Sequence, residues 1–148
     1  MKISEKGINF LIQEEGERLK AYRCAAGVWT VGIGHTGVDV KEGMIITKEK
    51  SRELLKSDLS RFEKAVNTYI KEELKQCEFD ALTSLSFNIG VGNFSKSTLV
   101  RKINAKAPIA EIEKEFRKWV YAGGKILPGL KARREREIKL YKGGILNV

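Results

Sequence analysis

One stretch of the chain, residues 19–40, resists helix in a sequence that is otherwise helical in pattern. Four glycines, Gly27, Gly32, Gly34 and Gly37, fall among Tyr22, Val28, Trp29, Val31, Ile33 and Val38. Glycine is costly inside a helix, whereas aromatic and β-branched side chains fit the pleated surface of a strand. The stretch therefore reads as short strands joined by tight turns. Val28-Trp29-Thr30-Val31-Gly32-Ile33 reads as one strand, with Trp29, Val31 and Ile33 on one face and Thr30 on the other.

On either side the pattern is helical. Ser4 can cap a first helix carrying Ile8, Leu11 and Ile12, with Glu14 and Glu15 at its end and Gly16 as a stop. Thr47 opens a long helix whose Leu54, Leu55, Leu59, Phe62 and Val66 form one apolar stripe. A further helix is expected at 79–88, broken by Asn88-Ile89-Gly90-Val91-Gly92-Asn93. Shorter ones are expected at 97–103, 109–120 and 131–141, with Pro128 and Gly129 as punctuation before the last. Strands and helices are thus segregated, which argues α+β rather than α/β. The expected architecture is a small β-containing lobe at about 10–46 and a connecting helix at about 47–68. A helical lobe at about 69–148, joined by the N-terminal helix, completes it, with a cleft between the lobes for an extended substrate.

The chain has 148 residues and 42% apolar side chains, enough for one domain with a real core. No apolar run reaches the ~18 residues of a membrane-spanning helix. No leader pattern is visible at the start, so the expectation is a protein that begins in the cytoplasm without stable membrane association. Two cysteines, Cys24 and Cys77, and the single His35 give neither a disulfide framework nor zinc-site spacing, so no metal or other cofactor is expected. Basic residues number 28 against 19 acidic ones. The excess sits in residues 101–148, which carry 13 basic and 5 acidic side chains, among them Lys131, Arg133, Arg134, Arg136, Lys139 and Lys142. Such a surface either faces an anionic polymer or is simply a solvated helix face. No nucleic-acid-binding motif accompanies it.

Taken singly, the reactive residues say little. Glu15 is one acid in a run of several, and Thr30 is a good strand former. Cys24 fits a small buried hydrophobe, and His35 fits a structural histidine bonded to its neighbours. Their order is more informative. Glu15, eight residues, Cys24, five residues and Thr30, followed by Gly32-Ile33-Gly34-His35-Thr36, resembles the active-site signature of phage-type lysozymes, glycoside hydrolase family 24. Phe79-Asp80-Ala81-Leu82-Thr83-Ser84-Leu85-Ser86-Phe87-Asn88-Ile89-Gly90 and Gly129-Leu130-Lys131-Ala132-Arg133-Arg134-Glu135 resemble two further blocks of that family. The resemblance covers essentially the whole chain.

It implies a lysozyme-like fold and a muramidase that cleaves the β-1,4 bond between N-acetylmuramic acid and N-acetylglucosamine in bacterial peptidoglycan. Glu15 would protonate the leaving oxygen, Cys24 would act as base or water activator, and Thr30 would hold the attacking water of an inverting reaction. Phe87, Asn88, Ser97 and His35 would touch the glycan. The family's commoner residue at position 24 is Asp. A thiol titrates near ~8.5 and an aspartate near ~3.9, so Cys24 needs its pKa lowered, either by Arg18 and Arg23, nearby in sequence, or by the site itself. The implied setting is phage lysis of a host: a monomer held in the cytoplasm until a holin opens the membrane, with no nucleic-acid partner. The competing readings are a lytic transglycosylase, which releases anhydro ends without adding water, and a catalytically dead wall- or nucleic-acid-binding protein.

Overall fold

A computed structural model describes residues 1–24 and 26–144. In chain order it contains α1 (Glu5–Glu15), β1 (Arg18–Arg23), β2 (Trp29–Gly32), β3 (His35–Thr36), α2 (Lys48–Tyr69), α3 (Gln76–Ile89), α4 (Val91–Lys96), α5 (Thr98–Asn104), α6 (Ile109–Arg117), β4 (Tyr121–Ala122), β5 (Lys125–Ile126) and α7 (Pro128–Tyr141). The mixture of helices with a small antiparallel sheet is the α+β class expected. The residues group into two units, Ile8–Arg61 on the one hand and Met1–Gly7 with Phe62 onward on the other. The division falls inside α1 and α2, not at their ends.

In the unit Ile8–Arg61, β1, β2 and β3 form a three-stranded antiparallel sheet in that order. Tyr22 pairs with Thr30 and Arg23 with Trp29, while Thr30 and Val31 pair with Thr36 and His35. Directly opposed residues share a face. One face therefore holds Ala21, Trp29 and Val31, which pack with Val40, Met44, Ile46 and Leu54 as a local core. The other face holds Tyr22 and Thr30. Ile33 lies beyond the end of β2, so it continues the chain but not the strand face expected for it. Thr47 does cap α2: its Oγ1 accepts from the Lys50 N–H at 3.1 Å.

The other unit is built around α3, whose residues from Phe79 to Ser86 are all buried. α3 packs mainly on α7, and α4 and α5 follow it after Gly90. Ser4 caps α1 through the Gly7 N–H and also donates to the carboxylate of Asp80, which ties the N-terminus to α3. Three elements depart from expectation. The segment expected to break the chain at 88–93 does so only at Gly90, whose φ is +92°, and is helical again from Val91 as α4. Pro128 is the first residue of α7 rather than a break before it, because its missing N–H costs nothing there. Residues 121–126 form a hairpin, β4 and β5, that the helical pattern of the neighbouring segments conceals.

The basic C-terminal third is less available than its sequence implies. Arg133 and Arg134 are buried and surround Glu137, itself fully buried. Ser84 donates to Glu137 at 2.6 Å. Burial pushes the Glu137 carboxyl upward against the pull of the two arginines. These two cations hold α7 to α3, and of the six basic residues named above only Lys131, Arg136, Lys139 and Lys142 face solvent.

Candidate active site

Glu15 is the last residue of α1 and is half-buried. The helix stops there because Gly16 takes a left-handed conformation, φ +73°, while its N–H still bonds the Ile12 carbonyl at 2.8 Å. The next residue anchors the turn. Glu17 accepts from the Ser51 hydroxyl at 2.7 Å and from the Arg52 guanidinium at 3.1 and 3.3 Å, which binds the start of β1 to α2. The Arg52 bond, helped by Ser51 and opposed by partial burial, holds the Glu17 carboxyl below its ordinary pKa. Ser51 is wholly buried, and a Cβ on Gly32 would come within 3.1 Å of its Oγ, so β2 ends tight against the same hydroxyl. Glu15 thus leaves its helix into a turn fastened two residues later.

Cys24 sits in the connection from β1 to β2, with its N–H donating to the Val28 carbonyl at 3.0 Å and its carbonyl accepting from Gly27 at 2.8 Å. Thr30 is buried on the sheet face that also carries Tyr22. The Cys24 thiol is held below its ordinary pKa, chiefly by hydrogen bonding from the backbone at Val28 and Ala26, with the Thr30 hydroxyl adding to it. The sheet pairing therefore brings Cys24 and Thr30 together. Arg18 and Arg23 are not the cause of the lowering. Each lies instead over an aromatic ring: Arg18 4.2 Å from the centre of Tyr22, Arg23 5.1 Å from that of Trp29. The Thr30 hydroxyl donates to the Val28 carbonyl at 3.0 Å. It has one proton, so with a thiolate at Cys24 that proton has a second, charged acceptor.

His35 is buried on β3 between two carboxylates. Nδ1 lies 2.7 Å from Asp58 and Nε2 2.9 Å from Asp39. Burial alone would disfavour the imidazolium, but the two carboxylates outweigh it and raise the His35 pKa. With both ring nitrogens engaged, His35 joins β3 to α2 on one side and to the segment just after β3 on the other.

Phe87, Asn88 and Ser97 belong to the helical unit. Phe87 is half-buried at the end of α3 and meets Phe62 with ring centres 5.0 Å apart. Asn88 is exposed, and its side-chain oxygen accepts from Arg134. Ser97 is buried and caps α5: its Oγ accepts from Val100 at 3.2 Å and donates to the Phe94 carbonyl at 2.7 Å. Two residues to which the sequence assigns no role in contact with substrate, Arg18 and Tyr22, share the Thr30 side of the sheet. Arg18 pairs with Gly32 and Tyr22 with Thr30, two positions apart on β2, across an irregularity in β1 that the sequence does not signal. Among the described residues, no group of three His, Cys, Asp or Glu is placed to hold a metal ion, and no helix is long and apolar enough to cross a membrane.

Comparison with known proteins agrees with these motifs. The phage lysozyme family model matches residues 12–137. The endolysin of Salmonella phage P22 is 48% identical over 145 residues, covering 95% of this chain and 98% of that protein. The endolysin of Acyrthosiphon pisum secondary endosymbiont phage 1 is 43% identical over 146 residues, covering 96% and 99%. Among solved structures, the endolysin from Escherichia coli O157:H7 phage FAHEc1 has a TM-score of 0.88 at 36% identity, covering 95% of this chain and 93% of its own. A single-site mutant of P22 lysozyme has a TM-score of 0.83 at 45% identity, covering 96% and 99%. With that match across nearly its whole length, and with the Glu15, Cys24 and Thr30 pattern inside it, the chain belongs to the phage lysozyme family.

Proposed function

We propose that this chain is an endolysin that hydrolyses the β-1,4 bond between N-acetylmuramic acid and N-acetylglucosamine of bacterial peptidoglycan. The observation that carries the reading is the contact of the Thr30 hydroxyl with Cys24, just past the end of β1, in the unit that also holds Glu15. Glu15 is the general acid that protonates the departing glycosidic oxygen. Cys24, as thiolate, supplies the negative charge that a carboxylate gives in the commoner form of the site. It draws a proton from water or stabilises the oxocarbenium-like transition state from the far face. Thr30 orients that water, its hydroxyl turning between the Val28 carbonyl and the sulfur. The product is the inverted sugar. Phe87 and Asn88 contribute to glycan binding from the helical unit, while Ser97 and His35 act by holding their surroundings in place.

The biological setting follows from the same proposal. A wall-cutting enzyme made by a phage lyses the host from within, needs a holin to cross the inner membrane, and works as a monomer without a cofactor. The test is digestion of purified Gram-negative peptidoglycan in oxygen-18 water, with mass spectrometry of the fragments. Oxygen-18 in new reducing ends is the expected outcome. Unlabelled anhydromuramic ends would make the enzyme a transglycosylase, and no soluble fragments at all would make it a binding protein.

A further inference from the structure

Arg18 differs from the other basic residues of the sheet in what it faces. It is exposed at the start of β1, with its guanidinium 4.2 Å from the centre of the Tyr22 ring. Among the described residues it has no carboxylate partner, whereas Arg52 in the same unit is bonded to Glu17. A guanidinium resting on a ring keeps its edge N–H donors directed outward, and the ring limits how far it can swing. Such a group is a preorganised receptor for a planar anion, and a carboxylate takes it bidentately. Its position gives that receptor a purpose. Tyr22 is the cross-strand partner of Thr30, and Thr30 is in contact with Cys24 just past the strand end, so a chain of contacts runs from Arg18 through the Tyr22 ring and Thr30 to Cys24. Arg23 makes the contrast. It lies over Trp29, on the opposite face, where the ring packs against the local core.

We infer that Arg18, held by Tyr22, binds a carboxylate of the substrate and so selects acidic peptidoglycan over neutral glycans such as chitin. The inference rests on the muramidase reading above and extends it from the cleaved bond to the groups that hang beside it. Peptidoglycan offers carboxylates on its stem peptides. Where those peptides have been removed, it offers one on the lactyl group of the muramic acid. Both present the same planar anion to the guanidinium. The contact exists before and during bond cleavage, so it lowers KM with little effect on kcat.

The test compares the wild type, Arg18→Gln and Arg23→Gln on two forms of the same peptidoglycan, one native and one with its carboxyl groups converted to amides. On native material Arg18→Gln should lose about tenfold in kcat/KM, the usual scale for one charge-assisted, bidentate contact. The loss should appear in KM and shrink as salt is raised. On the amidated material the wild type should fall to the level of Arg18→Gln, and Arg23→Gln should follow the wild type on both. A third substrate, glycan stripped of stem peptides, locates the anion: the Arg18 effect persists there if the lactyl carboxylate is bound and vanishes if a stem-peptide carboxylate is. Equal losses for Arg18→Gln on native and amidated peptidoglycan, or no loss on native, would overturn the inference. Failure of the underlying reading looks different, because the wild type itself would then release no reducing ends from either substrate.

Discussion

Replacing Asp58 with Asn isolates the best-defined ion pair of the sheet-containing unit. The Asp58 carboxylate meets His35 Nδ1 at 2.7 Å, with side-chain exposures of 17% and 11%. Exposed pairs contribute ~0.5 kcal/mol, and breaking a fully buried pair costs ~3–5 kcal/mol. This pair is mostly but not wholly buried, and Asp39, half exposed on Nε2, still compensates the imidazolium after the change. The expected cost is therefore about 2 kcal/mol, or roughly 4–8 °C in Tm for a chain of this size. Its pH dependence has a definite sign. His35 has a raised pKa in the folded protein, so its contribution is complete below the unfolded value of ~6.5 and disappears as pH rises through the folded value. The Asp39 carboxyl is held low, chiefly by its bond to His35, so its share is complete above ~3.9 and is lost in acid. The wild type should thus exceed Asp58→Asn most between about pH 4 and 6.5, and the gap should narrow in alkali. Urea denaturation across pH 4–9 measures it, and the protein's single histidine gives one imidazole NMR signal whose titration should move to lower pH in the variant. A gap that stays constant or widens above pH 8 would refute the reasoning.

Four further outcomes are expected. Glu15→Gln should abolish lysis of peptidoglycan, by about 10²-fold or more as expected for a general acid, with the circular dichroism spectrum unchanged; a lytic variant would remove Glu15 from its role. Cys24 should react with iodoacetamide at neutral pH faster than free cysteine does, since its thiol is held low, and alkylation should stop hydrolysis in step with labelling. Cys24→Asp should keep activity if the residue only activates or orients water, and lose it if the sulfur is an essential nucleophile. Arg134→Met should cost about 3–5 kcal/mol in chemical denaturation, because it strips charge from beside the buried Glu137; a cost under about 1 kcal/mol would mean that Arg133 and Ser84 suffice for that carboxylate.

Much of the architecture is legible in the sequence because local signals and tertiary structure agree. Ser4 and Thr47 cap the helices they are expected to cap, and the stripe from Leu55 to Val66 is buried, with Leu54 packed against the sheet's own core. The glycine-punctuated stretch is a sheet for the reason given, although its face pattern ends at Val31 because Gly32 takes a positive φ that turns the strand. The hairpin at 121–126 stays hidden: its strands are two residues each, too short for any period to register. Pro128 looks like a break because a proline signal has the same form just inside a helix as just outside it. For the site, spacing and family resemblance point to Glu15, Cys24 and Thr30, but not to what lowers the thiol. Nearby arginines are the cause a sequence suggests, and the backbone at Val28 and Ala26 takes that part, which no residue type announces. Arg133 and Arg134 count as surface charge in the sequence because composition cannot distinguish a cation in water from one that encloses a buried carboxylate.

The stitch between Glu17, Ser51 and Gly32 gives the molecule an uneven tolerance to mutation. Ser51 is 34 positions from Glu17 in the chain and carries no chemistry, yet its hydroxyl meets both the turn after Glu15 and the end of β2. A side chain even one carbon larger at 32, or one without a hydroxyl at 51, disturbs both ends of that connection at once. In a survey of lysis-defective phages, lesions at 32 and 51 would cluster with those at 15, 24 and 30. A geneticist working without the fold would count five members of an active site where three are the residues proposed for the chemistry and two keep the register.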